Sequence, residues 1–182
     1  MTRSSVCILC GSIGSGKTTT LLRLLERLSP TLLVCRGILC PPVIEAGTKT
    51  GIDLIDVSTR ESTRLAELNR SGEKNLATRG WKFDAQAVQR GNEILRNATP
   101  CDVLFVDELG PLEYKRGEGL MEGFPALNSR AFQLAFITIR PSLLSAALGC
   151  WPDALVFDLN QVKQDALVQE LLDILDQTIK MP

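Results

Sequence analysis

The octapeptide Gly11-Ser12-Ile13-Gly14-Ser15-Gly16-Lys17-Thr18 constrains this chain more than any other stretch. Its spacing, a glycine, four residues, then Gly-Lys-Thr, is that of a loop that wraps a phosphate with its backbone N–H groups turned inward. Glycines are needed because the wrapped backbone comes so close to the ligand that side chains would obstruct it. The apolar run Val6–Cys10 precedes the loop and a helical stretch from Lys17 follows it, which gives the required order of strand, loop and helix. Residues Gly11 to Thr19, with Ser12, Ile13 and Ser15 inside the loop, are therefore the expected phosphate-binding stretch. Lys17 brings a point charge to the β- and γ-phosphates, the Thr18 hydroxyl is a ligand for Mg²⁺, and the helix N-terminus adds positive potential.

Short apolar runs recur downstream with helical stretches between them, the pattern of a mostly parallel sheet covered by helices on both faces. Strands are expected at Val6–Cys10, Leu32–Cys35, Val103–Val106, Leu134–Ile139 and Ala154–Phe157, all nearly continuous in apolar residues. Helices are expected at Lys17–Leu28, at Ala85–Asn97 with Asp84 as N-cap, near Leu120–Asn128, at Leu143–Leu148 and at Asp165–Ile179. In the last, Val168, Leu171, Leu172, Leu175 and Ile179 form one apolar face, which reads as core. Between Gly37 and Phe83 the pattern breaks: alternation and turn residues predict an antiparallel hairpin, roughly residues 38–68, over or beside the main sheet. The polar stretch Asn69–Gly80 reads as a mobile loop. With 182 residues and no linker or repeat, the chain is expected to form one α/β domain, residues 1–182.

Composition narrows the partners. A formal net charge of −1 and 45% apolar residues argue against disorder, and with no basic stripe they argue against nucleic acid as the ligand. The N-terminal apolar run is too short for a signal or a membrane span, so a cytoplasmic protein is expected, monomeric or weakly associated, with no membrane contact. There is no histidine, which removes histidine ligands and a histidine base. The six cysteines read as buried thiols in a reducing compartment; Cys7 and Cys10 have metal-like spacing, but i and i+3 on a strand face opposite ways.

The second chemical element is Cys101-Asp-Val-Leu-Phe-Val-Asp-Glu-Leu-Gly-Pro-Leu-Glu113. An apolar strand ending in Asp107-Glu108 places one carboxylate where Mg²⁺ is held and a second where it can orient or deprotonate water in line with the γ-phosphate. The pair favours hydrolysis over phosphoryl transfer. A guanidinium is needed for charge developing on the transferred group, and two candidates follow, Arg140 at the end of the run Leu134–Ile139 and Arg116 after the acidic pair. Thr138, two residues before Arg140, is either buried or in contact with the attacking water.

The stretches "GSIGSGKTTTLLRLL" and "VDELGPLEY" resemble the two nucleotide motifs of the thermophilic-type, or cancer-related, nucleoside-triphosphatases. The resemblance extends to "GTKTGIDLIDVSTRESTRLA", similar to that family's hairpin, and to "GWKFDAQAVQRGNEIL", similar to its following helix in the bacterial form. It implies a RecA-like three-layer fold with an added hairpin, and slow, Mg²⁺-dependent hydrolysis of ATP, GTP and other nucleoside triphosphates with broad base specificity. By position, Gly11, Gly14, Gly16, Lys17 and Thr18 would hold phosphate and metal, Asp107 the metal's water, and Glu108 would be the base. Lys49 and Ile52 stand where the family has arginine and an aromatic residue, and Lys163-Gln164-Asp165 stands for Asn-Arg-Asp, so base preference is not carried over. The other readings of the same motifs are a small-molecule kinase, for which Asn69–Gly80 would be a lid, and a nucleotide-dependent switch or loading factor for a protein partner.

Overall fold

The computed structural model describes residues 4–72, 74, 76–78, 80–162 and 164–179. Lys163 and three positions of the expected loop, Glu73, Asn75 and Arg79, lie outside the described residues.

Five strands run parallel: β1 (Ser5–Cys10), β2 (Cys35–Leu39), β7 (Val103–Val106), β8 (Leu134–Ile139) and β9 (Leu155–Asp158). Four more, β3 (Pro42–Glu45), β4 (Thr48–Asp56), β5 (Ser62–Leu68) and β6 (Trp81–Phe83), are antiparallel. All belong to one sheet of order β6-β5-β4-β2-β7-β8-β1-β9, with β3 paired to β4 off the main path. The order puts β8 between the phosphate-loop strand β1 and the acidic strand β7, with Ile137 level with both Ile8 and Val106.

Helices α1 (Lys17–Leu28) and α6 (Gln164–Thr178) cover one face. Their core includes Leu21, Leu24, Leu25, Leu167, Leu171 and Leu175 against Cys7, Leu9, Phe105 and Phe136. Helices α2 (Ala85–Arg96), α4 (Gly123–Asn128) and α5 (Leu144–Cys150) cover the other, against Val6, Ile8, Cys10, Leu104, Val106 and Ile137. Strand residues thus alternate between two buried cores, which is why these strands read as continuous apolar runs. Cys7 and Cys10 lie in different cores, as strand geometry requires, and all six cysteines are free.

Several expectations are corrected. The strand expected at Leu32–Cys35 is displaced to Cys35–Leu39: Leu32 is fully exposed, and Cys35 to Ile38 pair with Val103 to Val106. Gly37 is a strand residue rather than a break. At φ +109 it lies so close to Phe105 that a Cβ would stand 1.9 Å from the Phe105 carbonyl oxygen, and only glycine fits. The stretch expected as a hairpin, residues 38–68, holds three strands, β3 to β5, of a four-stranded antiparallel extension, joined to the parallel sheet where Ile38 and Leu39 pair with Asp56 and Ile55. The polar loop is tethered, since Ala77 bridges to Lys82 and the Asn69 amide donates to the Thr78 carbonyl at 3.0 Å. Helix α3 (Pro111–Arg116) has no counterpart in the sequence reading; Pro111 at its first turn and Glu113, which accepts from the Gly110 N–H at 2.8 Å, start it. The Asp84 cap is present, accepting from the Ala87 N–H at 2.8 Å. No helix among the described residues is long and apolar enough to cross a membrane.

Candidate active site

The carboxyl ends of β1, β8 and β7 lie side by side, and the chain leaves each with a polar group. From β1 comes the phosphate loop. Gly14 and Gly16 adopt φ of +82 and +90, which side chains disfavour, and a Cβ on Gly16 would also have to displace the Gln164 amide. Among the described residues no side chain caps the first turn of α1, and no acidic residue lies in it, which leaves its N–H groups to an anion. Lys17 Nζ folds across the loop and donates to the carbonyls of Gly11 at 2.7 Å and Ser12 at 2.9 Å. Burial pulls the Lys17 pKa down, against the opposing charges of Glu108 and Asp107. The C-terminal segment braces the loop, with Asn160 accepting from the Ser12 hydroxyl at 2.8 Å and Gln164 donating to the Ser15 carbonyl at 3.3 Å.

From β7 comes Asp107. Alternation along Val103, Phe105 and Asp107 turns it toward the α1 face, where it is fully buried. Its carboxylate accepts from the Thr138 hydroxyl at 2.5 Å and from the Cys40 N–H at 2.9 Å. Burial, then the Glu108 charge, raises its pKa; the bonds from Thr138, the Cys40 N–H and Thr18 oppose the rise. Strict alternation would send residue 108 to the opposite face. Glu108 instead leaves the strand at φ +68 and lines the same cleft as Lys17.

From β8 come Thr138 and Arg140. The Thr138 hydroxyl donates to Asp107 and accepts the Glu108 N–H at 3.1 Å, so one buried side chain fixes both acidic residues. Arg140 Nη2 donates to Glu108 Oε1 at 2.8 Å within the cleft.

The cleft, about 450 Å³, brings together Ile13, Gly14, Gly16, Lys17, Thr18, Thr19, Glu108 and Arg140, with Asp107 buried beneath. Arg116 is not among them. Its guanidinium donates to the carbonyls of Ala77 at 2.6 Å and Lys74 at 2.8 Å and pairs with Glu118, so it is engaged by the backbone at those two residues and does not line the phosphate cleft. The reason lies in α3, which carries residue 116 away from the sheet edge. Sequence reasoning missed other lining residues, Cys40, Pro42, Ile44 and Trp81, because they come from the β2–β3 link, β3 and the distant strand β6. Thr18 and Asp107 offer hard oxygen donors beside the loop, a set that suits Mg²⁺, which takes one or two protein oxygens and fills its remaining positions with phosphate and water.

Known proteins resemble this chain in sequence and in fold. The family described as NTPase matches residues 6–172. A nucleoside-triphosphatase THEP1 of Saccharolobus solfataricus is 37% identical over 106 residues, which cover 58% of this chain and 59% of that protein. A second, from Caldivirga maquilingensis, is 26% identical over 94% of this chain and 95% of that one. These two relatives are archaeal and lend nothing to the bacterial form expected above. Among solved structures, a human cancer-related nucleoside triphosphatase superposes with a TM-score of 0.71 at 20% identity, over 97% of this chain and 100% of that one. THEP1 from Aquifex aeolicus superposes with 0.67 at 18% identity, over 94% and 99%.

Proposed function

Since the chain belongs to the NTPase family, we propose that it hydrolyses nucleoside 5′-triphosphates to the diphosphate and phosphate, with Mg²⁺ as cofactor and little regard for the base. The observation that carries the reading is Glu108, a carboxylate turned out of its strand into the cleft that holds Lys17, paired to Arg140 and adjacent to buried Asp107.

In this reading the loop amides and the α1 N-terminus bind the β- and γ-phosphates, and Lys17 exchanges its two loop carbonyls for phosphate oxygens. Thr18 and Asp107 are the residues that would hold Mg²⁺, whose chemistry when bound is to neutralise charge on the phosphate oxygens. Glu108 accepts the proton of the attacking water. Arg140, released from Glu108 toward the γ-phosphate, meets the charge that builds as the bond breaks. Apolar residues and the buried Asp107 beneath the loop keep this chemistry in a low-dielectric setting where each charge counts for more than in water. Six free thiols fit a reducing cytoplasm.

The test is phosphate release from ATP and GTP with and without Mg²⁺. The reading expects Mg²⁺-dependent release from both and loss of triphosphate binding in Lys17→Ala; a protein that releases no phosphate from either nucleotide refutes it.

A further inference from the structure

Part of the cleft's lining has no role in the chemistry above: Ile44, exposed, and Trp81, a half-buried indole that also packs against the core. Ile13 is 77% exposed in the loop, and Ile44, 56% exposed on β3, lines the same cleft. Ile44 pairs with Lys49 across the β3–β4 ladder, which puts both on one face of the antiparallel extension. The Lys49 ammonium in turn stands 4.7 Å from the centre of the Trp81 ring, so strands β3, β4 and β6 deliver one cluster to one side of the cleft. Exposed isoleucines from the phosphate loop and from β3, lining one cavity with the phosphate site, leave apolar area that a flat ring would cover.

We propose that Trp81, with Ile44 and Ile13 lining the same cleft, is the nucleobase platform of this site. The proposal rests on the reading of the cleft as a triphosphate site, because the phosphates fix where the rest of the ligand lies. A base against an aromatic side chain is held by stacking and dispersion, and every base has such a face. Reading one base against another needs matched donors and acceptors. Among the described lining residues the only carboxylate is Glu108, engaged by Arg140, and no side-chain amide is present. The ammonium of Lys49 lies over the ring and offers donors only. Selection therefore follows ring area, purine above pyrimidine, with adenine and guanine alike.

The experiment is calorimetric titration of the full chain with Mg²⁺ and ATP, GTP, UTP or inorganic tripolyphosphate, in wild type, Trp81→Ala and Trp81→Phe. Expected for wild type are ATP and GTP within about threefold of each other, UTP weaker, and tripolyphosphate roughly tenfold or more weaker than ATP, the span of one stacked base. Trp81→Ala is expected to reduce the advantage of ATP over tripolyphosphate to about threefold while tripolyphosphate affinity stays unchanged, which also shows that the phosphate site is folded; Trp81→Phe keeps most of the advantage. Trp81→Ala binding ATP like wild type, or losing tripolyphosphate affinity to the same extent as ATP, overturns the platform. A wild type that binds tripolyphosphate as tightly as ATP overturns it while leaving the triphosphatase reading intact. A wild type that binds none of the four overturns both.

Discussion

Replacing Thr138 by valine removes one oxygen from a side chain that is 2% exposed and keeps its shape. Two bonds go with it: the donation to Asp107 at 2.5 Å and the acceptance from the Glu108 N–H at 3.1 Å. A hydrogen bond to a charged group contributes about 1.5 to 3 kcal/mol, and a buried N–H left without a partner costs about 1 to 3 kcal/mol. Glu108 is partly open to water, its side chain 25% exposed, so its N–H recovers part of that by hydration. The net expectation is a loss of roughly 2 to 4 kcal/mol, or roughly 4 to 16 °C in melting temperature for a chain of this size, which leaves a typical domain folded. The effect on catalysis is separate. Without the hydroxyl, Asp107 and the φ +68 turn at Glu108 lose their common anchor, and kcat is expected to fall roughly 10- to 100-fold with triphosphate affinity within about threefold. Urea melts and single-turnover phosphate release measure the two effects. Thr138→Ser keeps the oxygen and loses a methyl group, about 1 kcal/mol, and should retain most of kcat. Thr138→Val with wild-type kcat, or Thr138→Ser as impaired as valine, would show that the hydroxyl does not organise the site.

The two arginines separate cleanly: Arg140→Ala is expected to lower kcat by about tenfold or more, while Arg116→Ala, which frees the loop carbonyls of Lys74 and Ala77 and the Glu118 carboxylate, should leave kcat within about threefold, as steady-state phosphate release reports. Gly37→Ala should fail to give folded protein or lose about 3 kcal/mol or more by urea melt, because its Cβ would overlap the Phe105 carbonyl at a positive φ. Asp107→Asn should abolish turnover yet stabilise the nucleotide-free protein near neutral pH, since burial disfavours the charge it removes. The sign is fixed by the raised pKa: the folded state holds its proton to higher pH than the unfolded chain does. Wild type therefore gains stability from this group as pH falls through the raised value toward 3.8, and the Asn variant lacks that gain in melts across pH.

The parallel half of the fold was legible in the sequence because doubly covered strands such as Leu134–Ile139 must be apolar throughout, and because the phosphate loop allows only one local order. The position of Asp107 at the end of such a strand was legible for the same reason, whereas the φ +68 turn that brings Glu108 into the cleft was not. Gly37 misled: glycine usually ends a strand, and only the approach of Phe105 explains why one lies inside β2. Position 116 was unreadable without the turn of α3, which redirects a residue only eight places beyond Glu108. The Trp81 wall was hidden for a different reason, since Pro42, Ile44, Lys49 and Trp81 share no period and meet only through antiparallel pairing. Thr138 stood in plain view as one polar residue in an apolar strand, a signal of a buried partner that the sequence does not identify.

The account turns on Glu108 as the group that makes this cleft cut a triphosphate and not merely hold it. Glu108→Gln preserves size and one acceptor oxygen but cannot take a proton. In single-turnover phosphate release paired with equilibrium triphosphate binding, the account predicts a rate lower by about 100-fold or more with affinity within about threefold of wild type. A Glu108→Gln protein that releases phosphate at the wild-type rate would contradict it.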